Sequence, residues 1–213
     1  MPLMRKGSAK IKHYAQIMGV LKRRYTAPAA SSKASPWECL VFTLLSARTR
    51  DEQTEVVLQE LLRQWPTPRE LAQAKVADVE RVLQRIGLYK KKARNVVELA
   101  RRIQNEYGGK VPQEFAALID LPGVGVKTAS CVLVYAYGKP AVPVDTHVHR
   151  IANRLGWVKE KTPERTAQAL RVSLPPEYWM DVNRVMVQFG REVCIPGTPR
   201  CPRCPLRAWC AYP

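Results

Sequence analysis

LPGVGVKTAS, residues 121–130, lies between the apolar runs AALIDL and VKTASCVLVYAY, and Pro122, Gly123 and Gly125 break the helical pattern where the two meet. The pattern predicts a helix, a tight hairpin and a second helix. Glycines let backbone N–H groups approach a partner closely, and the start of the second helix adds partial positive charge. Together they suit a phosphate-sized anion. The dipole that welcomes an anion disfavours an ammonium, so Lys127, just inside the second helix, reads as an amine that can be held neutral and act as a nucleophile. The competing reading makes Lys127 a solvated residue on the far side of the hairpin.

Further along, VPVDTHVHR sets Asp145 after Pro143 and ahead of the periodic apolar residues Val148, Ile151 and Leu155. That is the signature of a helix N-cap, and a cap carboxylate that accepts first-turn N–H bonds needs no catalytic duty. His147 and His149 stand two positions apart, cannot share a helix face, and read as polar packing residues rather than ligands.

Cys194, Cys201, Cys204 and Cys210 follow the spacing C-x6-C-x2-C-x5-C. Disulfide-bonded loops are one reading of such a cluster. Cys39 and Cys131 sit singly in apolar helical patterns, and nothing at the N-terminus resembles a secretion signal, which together favour an intracellular, reducing compartment. Four thiolates in one loop then imply a metal, and spacing alone leaves tetrahedral zinc and an iron–sulfur cluster both open. Pro196, Pro199, Pro202 and Pro205 restrict the loop to turns around what it holds.

Thirty-five basic against eighteen acidic residues leave a net charge of +17. So large an excess points to nucleic acid more strongly than to a solvated helix face. Residues 1–35 hold eight Lys or Arg and no acid, and residues 85–110 hold eight basic against two acidic, including Lys90, Lys91, Lys92 and Arg94; both stretches could grip phosphates. A spanning helix needs about 20 apolar residues, which no run approaches, and the basic segments lack a lipid-facing stripe.

Apolar periodicity is helical almost throughout. Ile11, Tyr14, Met18 and Leu21 make one stripe, Leu40, Val41, Leu44 and Leu45 another, and Val57, Leu58, Leu61 and Leu62 a third. Ser35-Pro36-Trp37-Glu38 and Thr67-Pro68-Arg69-Glu70 are capping boxes with proline at the first helical position, and Thr162-Pro163 repeats the cap. Gly87, Gly108, Gly138, Gly156 and Gly190 each follow a periodic run where a left-handed stop is expected. With no alternating segment long enough for a strand, the fold class is all-α with about ten helices. Residues 26–36 are the best linker candidate, and 213 residues at 46% apolar content suffice for one large core or two modest domains.

The hairpin with its lysine, the VDTHVHR segment and the four-cysteine spacing occur in the order in which the endonuclease III family of base-excision DNA glycosylases carries them, and from about Ser35 to Cys210 the chain resembles that family. The resemblance implies two helical domains with a cleft between them. Residues 30–139 would form a six-helix barrel with the helix-hairpin-helix, and residues 1–29 and 140–213 an iron–sulfur cluster domain made by both chain ends. It implies Lys127 as the Schiff-base nucleophile, Asp145 as its essential carboxylate, and Cys194, Cys201, Cys204 and Cys210 as ligands of a [4Fe-4S] cluster. The partner would be double-stranded DNA containing damaged bases, oxidised pyrimidines foremost, or abasic sites, bound by a monomer.

In the same light, Gly123 and Gly125 would approach phosphate, Leu88 in IGLYKKKARN would wedge into the base stack, and Lys90, Lys91 and Arg200 would contact the backbone. Leu88 reads equally well as an ordinary apolar residue after a helix stop. Arg48, in LLSARTRD, stands where the family often has a glutamine that fills the gap of the flipped base; an arginine donates but cannot accept, so the opposite base would be read differently. Two alternatives are kept. A mismatch-type or adenine-type glycosylase of the same superfamily shares fold and cluster but commonly lacks the lysine, and a non-catalytic helix-hairpin-helix DNA-binding module with a zinc tail would use neither Lys127 nor Asp145.

Overall fold

A computed structural model of the chain describes residues 13–25 and 34–212. Eleven α-helices run through them: α1 Tyr14–Arg24, α2 Pro36–Leu45, α3 Asp51–Gln64, α4 Pro68–Gln73, α5 Val76–Leu83, α6 Tyr89–Tyr107, α7 Phe115–Ile119, α8 Val126–Tyr137, α9 Thr146–Arg154, α10 Pro163–Ser173 and α11 Trp179–Glu192. No strand occurs among the described residues, in keeping with the expected all-α class. Ile11 and residues 26–33 of the linker candidate lie outside them.

Local chemistry sets most helix ends. Ser35 accepts from the Glu38 backbone at 3.2 Å while its own N–H donates to the Glu38 carboxylate at 2.6 Å, and Thr67 and Glu70 repeat the exchange at 3.3 and 3.0 Å. Gly108 and Gly138 close α6 and α8 in the left-handed conformation, at φ 58° and 62°. Two expected stops fail, each for a packing reason. Gly190 lies inside α11, where a Cβ would come within 2.5 Å of His147 Nδ1, so this glycine serves the close approach of α9. Before Gly87, α5 has already ended at Leu83 with right-handed Gln84 as its cap; the left-handed residue is Leu88, and Gly87 instead makes room for the Arg48 carbonyl, which a Cβ would meet at 3.3 Å.

The chain divides into two compact units. Ala27–Pro143 carries α2–α8. In it α2 packs on α8, α3 and α6, and α6 also receives α4 and α5. Leu40, Val41, Leu61, Leu83, Val96, Leu99, Ile103, Leu118 and Val132 are fully buried in its core, so each aliphatic side chain contributes on the order of 1.5–3 kcal/mol.

The other unit joins Met1–Thr26 to Val144–Pro213 and carries α1 and α9–α11. Its α11 packs on α1 and α9, and α9 packs on α10. Polar contacts fasten α1 to α11 across the sequence. Lys22 Nζ stands 2.5 Å from Asp181, Arg24 pairs with Glu192, the Tyr25 hydroxyl donates to Glu192 at 2.9 Å, and Arg184 donates to the Tyr25 carbonyl at 3.1 Å. The first 35 residues are therefore not a free basic arm throughout, because Lys22 and Arg24 already have carboxylate partners.

Against the burial that pushes it up, hydrogen bonds from Lys22 and Arg184 hold the Asp181 carboxyl below its ordinary value of 3.8. A depressed carboxylate stabilises the fold above its unfolded-state value and loses that contribution as pH falls through the folded one. Asp181→Asn should therefore cost about 1 kcal/mol in urea unfolding at pH 7, a gap that narrows as the pH is lowered below 4.

Candidate active site and cysteine-lined cavity

The hairpin between α7 and α8 is an alternation of anchors and open backbone. Leu121 and Val124 are buried at 2% and 7% exposure, while Gly123 and Gly125 face outward. Leu121 and Val124 N–H groups turn back onto the Leu118 and Leu121 carbonyls at 3.2 and 3.1 Å. Gly123 takes φ 76°, and a Cβ there would stand 2.7 Å from the Asn95 side-chain nitrogen, so left-handed geometry and contact with α6 both require glycine. Gly125 is different: its φ is −104°, nothing lies within 4 Å of a Cβ position, and as the N-cap of α8 it supplies no side-chain bond. The first-turn N–H groups of α8 thus begin at open backbone.

Lys127 is the second residue of α8 and half-buried. Its charge is felt by Cys39 of α2, in the same unit. Burial pushes the Cys39 thiol up, while Thr43 and the Lys127 charge pull it the other way.

Asp145 begins the other unit's α9. Its Oδ1 accepts from the Val148 N–H at 2.9 Å, as an N-cap should, and its charge also acts on Arg150. His149 meets the Thr166 hydroxyl at 2.8 Å and His147 meets Arg150 at 3.0 Å, so both histidines are packing groups.

Two exposed residues with left-handed backbones belong to the same unit as Lys127: Arg48 at φ 55° and Leu88 at φ 59°. Leu88 is 53% exposed at the left-handed N-cap of α6, and Lys90, Lys91 and Arg94 are exposed on the first turns of α6. Lys92 departs from the expectation for this run. It is 4% exposed and donates to the Leu45 carbonyl and the Thr49 hydroxyl, both at 2.8 Å, so it cannot grip a phosphate.

The four cysteines of the C-terminal loop line one cavity, with Ile151, Leu155, Phe189 and Leu206 among its apolar walls. Burial pushes the thiols of Cys204 and Cys210 up, and the neighbouring cysteines push them further. Such repulsion requires the sulfurs to lie near one another. No three His, Cys, Asp or Glu side chains among the described residues are drawn together tightly enough to hold a single ion. Two arginines absent from the sequence reading brace the loop. Arg150 donates to the Cys194 carbonyl at 2.9 and 3.1 Å, and Arg154 donates to Cys194 Sγ at 3.3 Å and the Ile195 carbonyl at 2.8 Å. Their spacing of four residues, which puts both on one face of α9, was the available signal. Arg200 also lines the cavity and donates to the Glu192 carbonyl at 3.1 Å.

Comparison with known proteins places this arrangement. Residues 41–176 match the HhH-GPD superfamily base excision DNA repair protein family. Endonuclease III of Thermotoga maritima is 46% identical over 185 residues, 87% of each chain, and endonuclease III of Escherichia coli K12 is 36% identical over 84% of this chain and 85% of its own. The structure of a trapped endonuclease III–DNA covalent intermediate superimposes with a TM-score of 0.85 at 33% identity, covering 94% of this chain and 95% of that one. The chain belongs to the endonuclease III family within the HhH-GPD superfamily of base-excision DNA repair proteins.

Gly123→Ala should lower stability by about 1–2 kcal/mol, the cost of a left-handed L-residue, before any contact with Asn95 is counted. Gly125→Ser, in open space at a position serine caps well, should leave the unfolding free energy within about 0.5 kcal/mol of the parent in urea denaturation.

Proposed function

We propose that this base-excision DNA glycosylase and AP lyase uses Lys127 as its amine nucleophile and Asp145 as its carboxylate, on duplex DNA containing oxidised pyrimidines or abasic sites, as a monomer. The enzyme class follows from family membership. The residue roles rest on one observation above all: Lys127 stands half-buried in the first turn of the helix that an outward-facing glycine hairpin opens. The cap bond through Oδ1 supports the role of Asp145, because it holds the carboxylate in a fixed orientation.

In the reaction, the Lys127 Nζ lone pair forms a bond to C1′ as the base leaves with the glycosidic electron pair and takes a proton. Asp145 stabilises the positive charge that develops on the sugar or relays that proton. Opening of the sugar ring gives an imine between Lys127 and C1′. Loss of a proton from C2′ then expels the 3′ phosphate by β-elimination, and water hydrolyses the imine to free the lysine. The open N–H groups at Gly123 and Gly125, with Lys90, Lys91 and Arg200, hold phosphates, while Leu88 and Arg48 enter the stack where the damaged nucleotide leaves it.

Cys194, Cys201, Cys204 and Cys210 would hold a [4Fe-4S] cluster. All four donors are soft thiolates, and thiol burial without a metal leaves protonated sulfur facing apolar walls. Tetrahedral zinc would use the same four thiolates; the resemblance of the C-x6-C-x2-C-x5-C spacing to that of the endonuclease III family is what favours the cluster. When bound, such a cluster ties the loop together and offers an electron-transfer centre. The purified protein should absorb near ~400 nm and lose that band on removal of iron; a colourless zinc protein would overturn the assignment.

Borohydride trapping on abasic-site DNA tests the nucleophile. Lys127→Ala should abolish the covalent adduct while leaving DNA affinity within a few-fold, and an adduct that survives the substitution would remove Lys127 from the role. Asp145→Asn should slow turnover by about 100-fold or more with little loss of binding, whereas an unchanged rate would leave Asp145 only a helix cap.

A further inference from the structure

We propose that Lys92 is a positioning residue for base excision, whose buried amine clamps residues 46–50, and so Arg48, against the start of α6 that carries Leu88. The inference rests on the reading above that Arg48 and Leu88 enter the duplex. Lys92 is almost wholly enclosed at 4% exposure, on a helix whose other early lysines, Lys90 and Lys91, face solvent. Its Nζ bridges the Leu45 carbonyl, at the end of α2, and the Thr49 hydroxyl, each at 2.8 Å. These two acceptors bracket Arg48.

Arg48 needs such a bracket. A non-glycine residue at φ 55° sits in a sparsely populated conformation that persists only where its surroundings over-determine it. The segment is already tightened by the Thr49 N–H on the Ser46 carbonyl at 3.0 Å and by the Ser46 hydroxyl on the Thr43 carbonyl at 3.0 Å. Gly87 lets the Arg48 carbonyl press against the turn before α6, at 3.3 Å from where a Cβ would be. Within α6, the Lys92 N–H bonds the Leu88 carbonyl at 3.0 Å, so one residue joins the backbone of the Leu88 turn to the loop of Arg48.

The Lys92 ammonium accepts a clear disadvantage to stand there. Burial pushes it down to about 8, and both of its acceptors, a backbone carbonyl and a hydroxyl, are neutral groups. An apolar residue would fill the space without that penalty but could not bind either acceptor. At the carboxyl end of α2 the positive charge also meets the helix pole and a carbonyl beyond the reach of intrahelical partners.

The experiment compares single-turnover excision of one oxidised pyrimidine in two duplexes, one fully paired and one with the lesion opposite a stable abasic-site analogue, where opening the stack costs less. Lys92→Met should lose between about tenfold and a hundredfold on the paired duplex but less than about threefold on the unpaired one, because misplaced Arg48 and Leu88 harm the opening step and not the chemistry at Lys127. Equal losses on both duplexes would overturn the proposal, since a general structural defect does not distinguish them. Arg48→Ala and Leu88→Ala serve as references. If they too show no loss selective for the paired duplex, the stack-entry reading itself fails; if they show it and Lys92→Met does not, only the positioning role fails. Should Lys92→Met fail to fold in a thermal melt, Thr49→Val, which keeps the ammonium and its bond to Leu45, carries the comparison. A selective loss of about threefold supports the clamp, and none overturns it.

Discussion

Everything proposed for the site depends on a turn that holds its aliphatic residues inside and its glycines outside. Leu121 and Val124 sink into the core of their unit, and between them Gly123 swings into the left-handed region directly over Asn95 of α6. Those contacts fix the direction in which α8 departs, and therefore where its second residue, Lys127, is presented. The hydrophobic anchoring is non-directional and strong, whereas the demand for glycine at position 123 comes from one torsion and one side-chain contact. Neither alone would specify the geometry.

Positive charge is distributed by role. Lys22, Arg24, Arg102 and Arg184 stand in ion pairs, while Lys92, Arg150 and Arg154 are held chiefly by carbonyl groups that structure loops. Lys90, Lys91 and Arg94 remain exposed along the start of α6. A net charge of +17 is thus not one undivided reservoir for phosphates. The part spent inside is spent on the segments that would meet DNA and on the cysteine loop, the places where backbone carbonyls have left regular helices and need donors.

The cysteine loop shows the same logic in a different chemistry. Its four prolines remove N–H donors from the loop, and α9 supplies guanidinium donors from Arg150 and Arg154 to the residues around Cys194. The helix that Asp145 caps is therefore also the helix that braces the sulfur-lined cavity.

Features that depend on neighbours within four residues were legible from the chain itself: the capping boxes at Ser35 and Thr67, the cap at Asp145, the left-handed stops at Gly108 and Gly138, the hairpin, and the all-helical class. Each is settled by a hydrogen bond or a torsion inside one turn, so the local order of residues suffices. Burial is another matter. Lys92 looked like one more surface lysine until Leu45 and Thr49, more than forty positions away, closed over it, and Gly87 and Gly190 proved to be places where another backbone or side chain comes close rather than helix ends. The four cysteines announced a common purpose by their spacing, but that their sulfurs share one apolar cavity braced by α9 follows from packing alone. Only the folded chain brings distant residues together, and it is that proximity, not composition, that decides which charges stay in water and which are made to hold a loop.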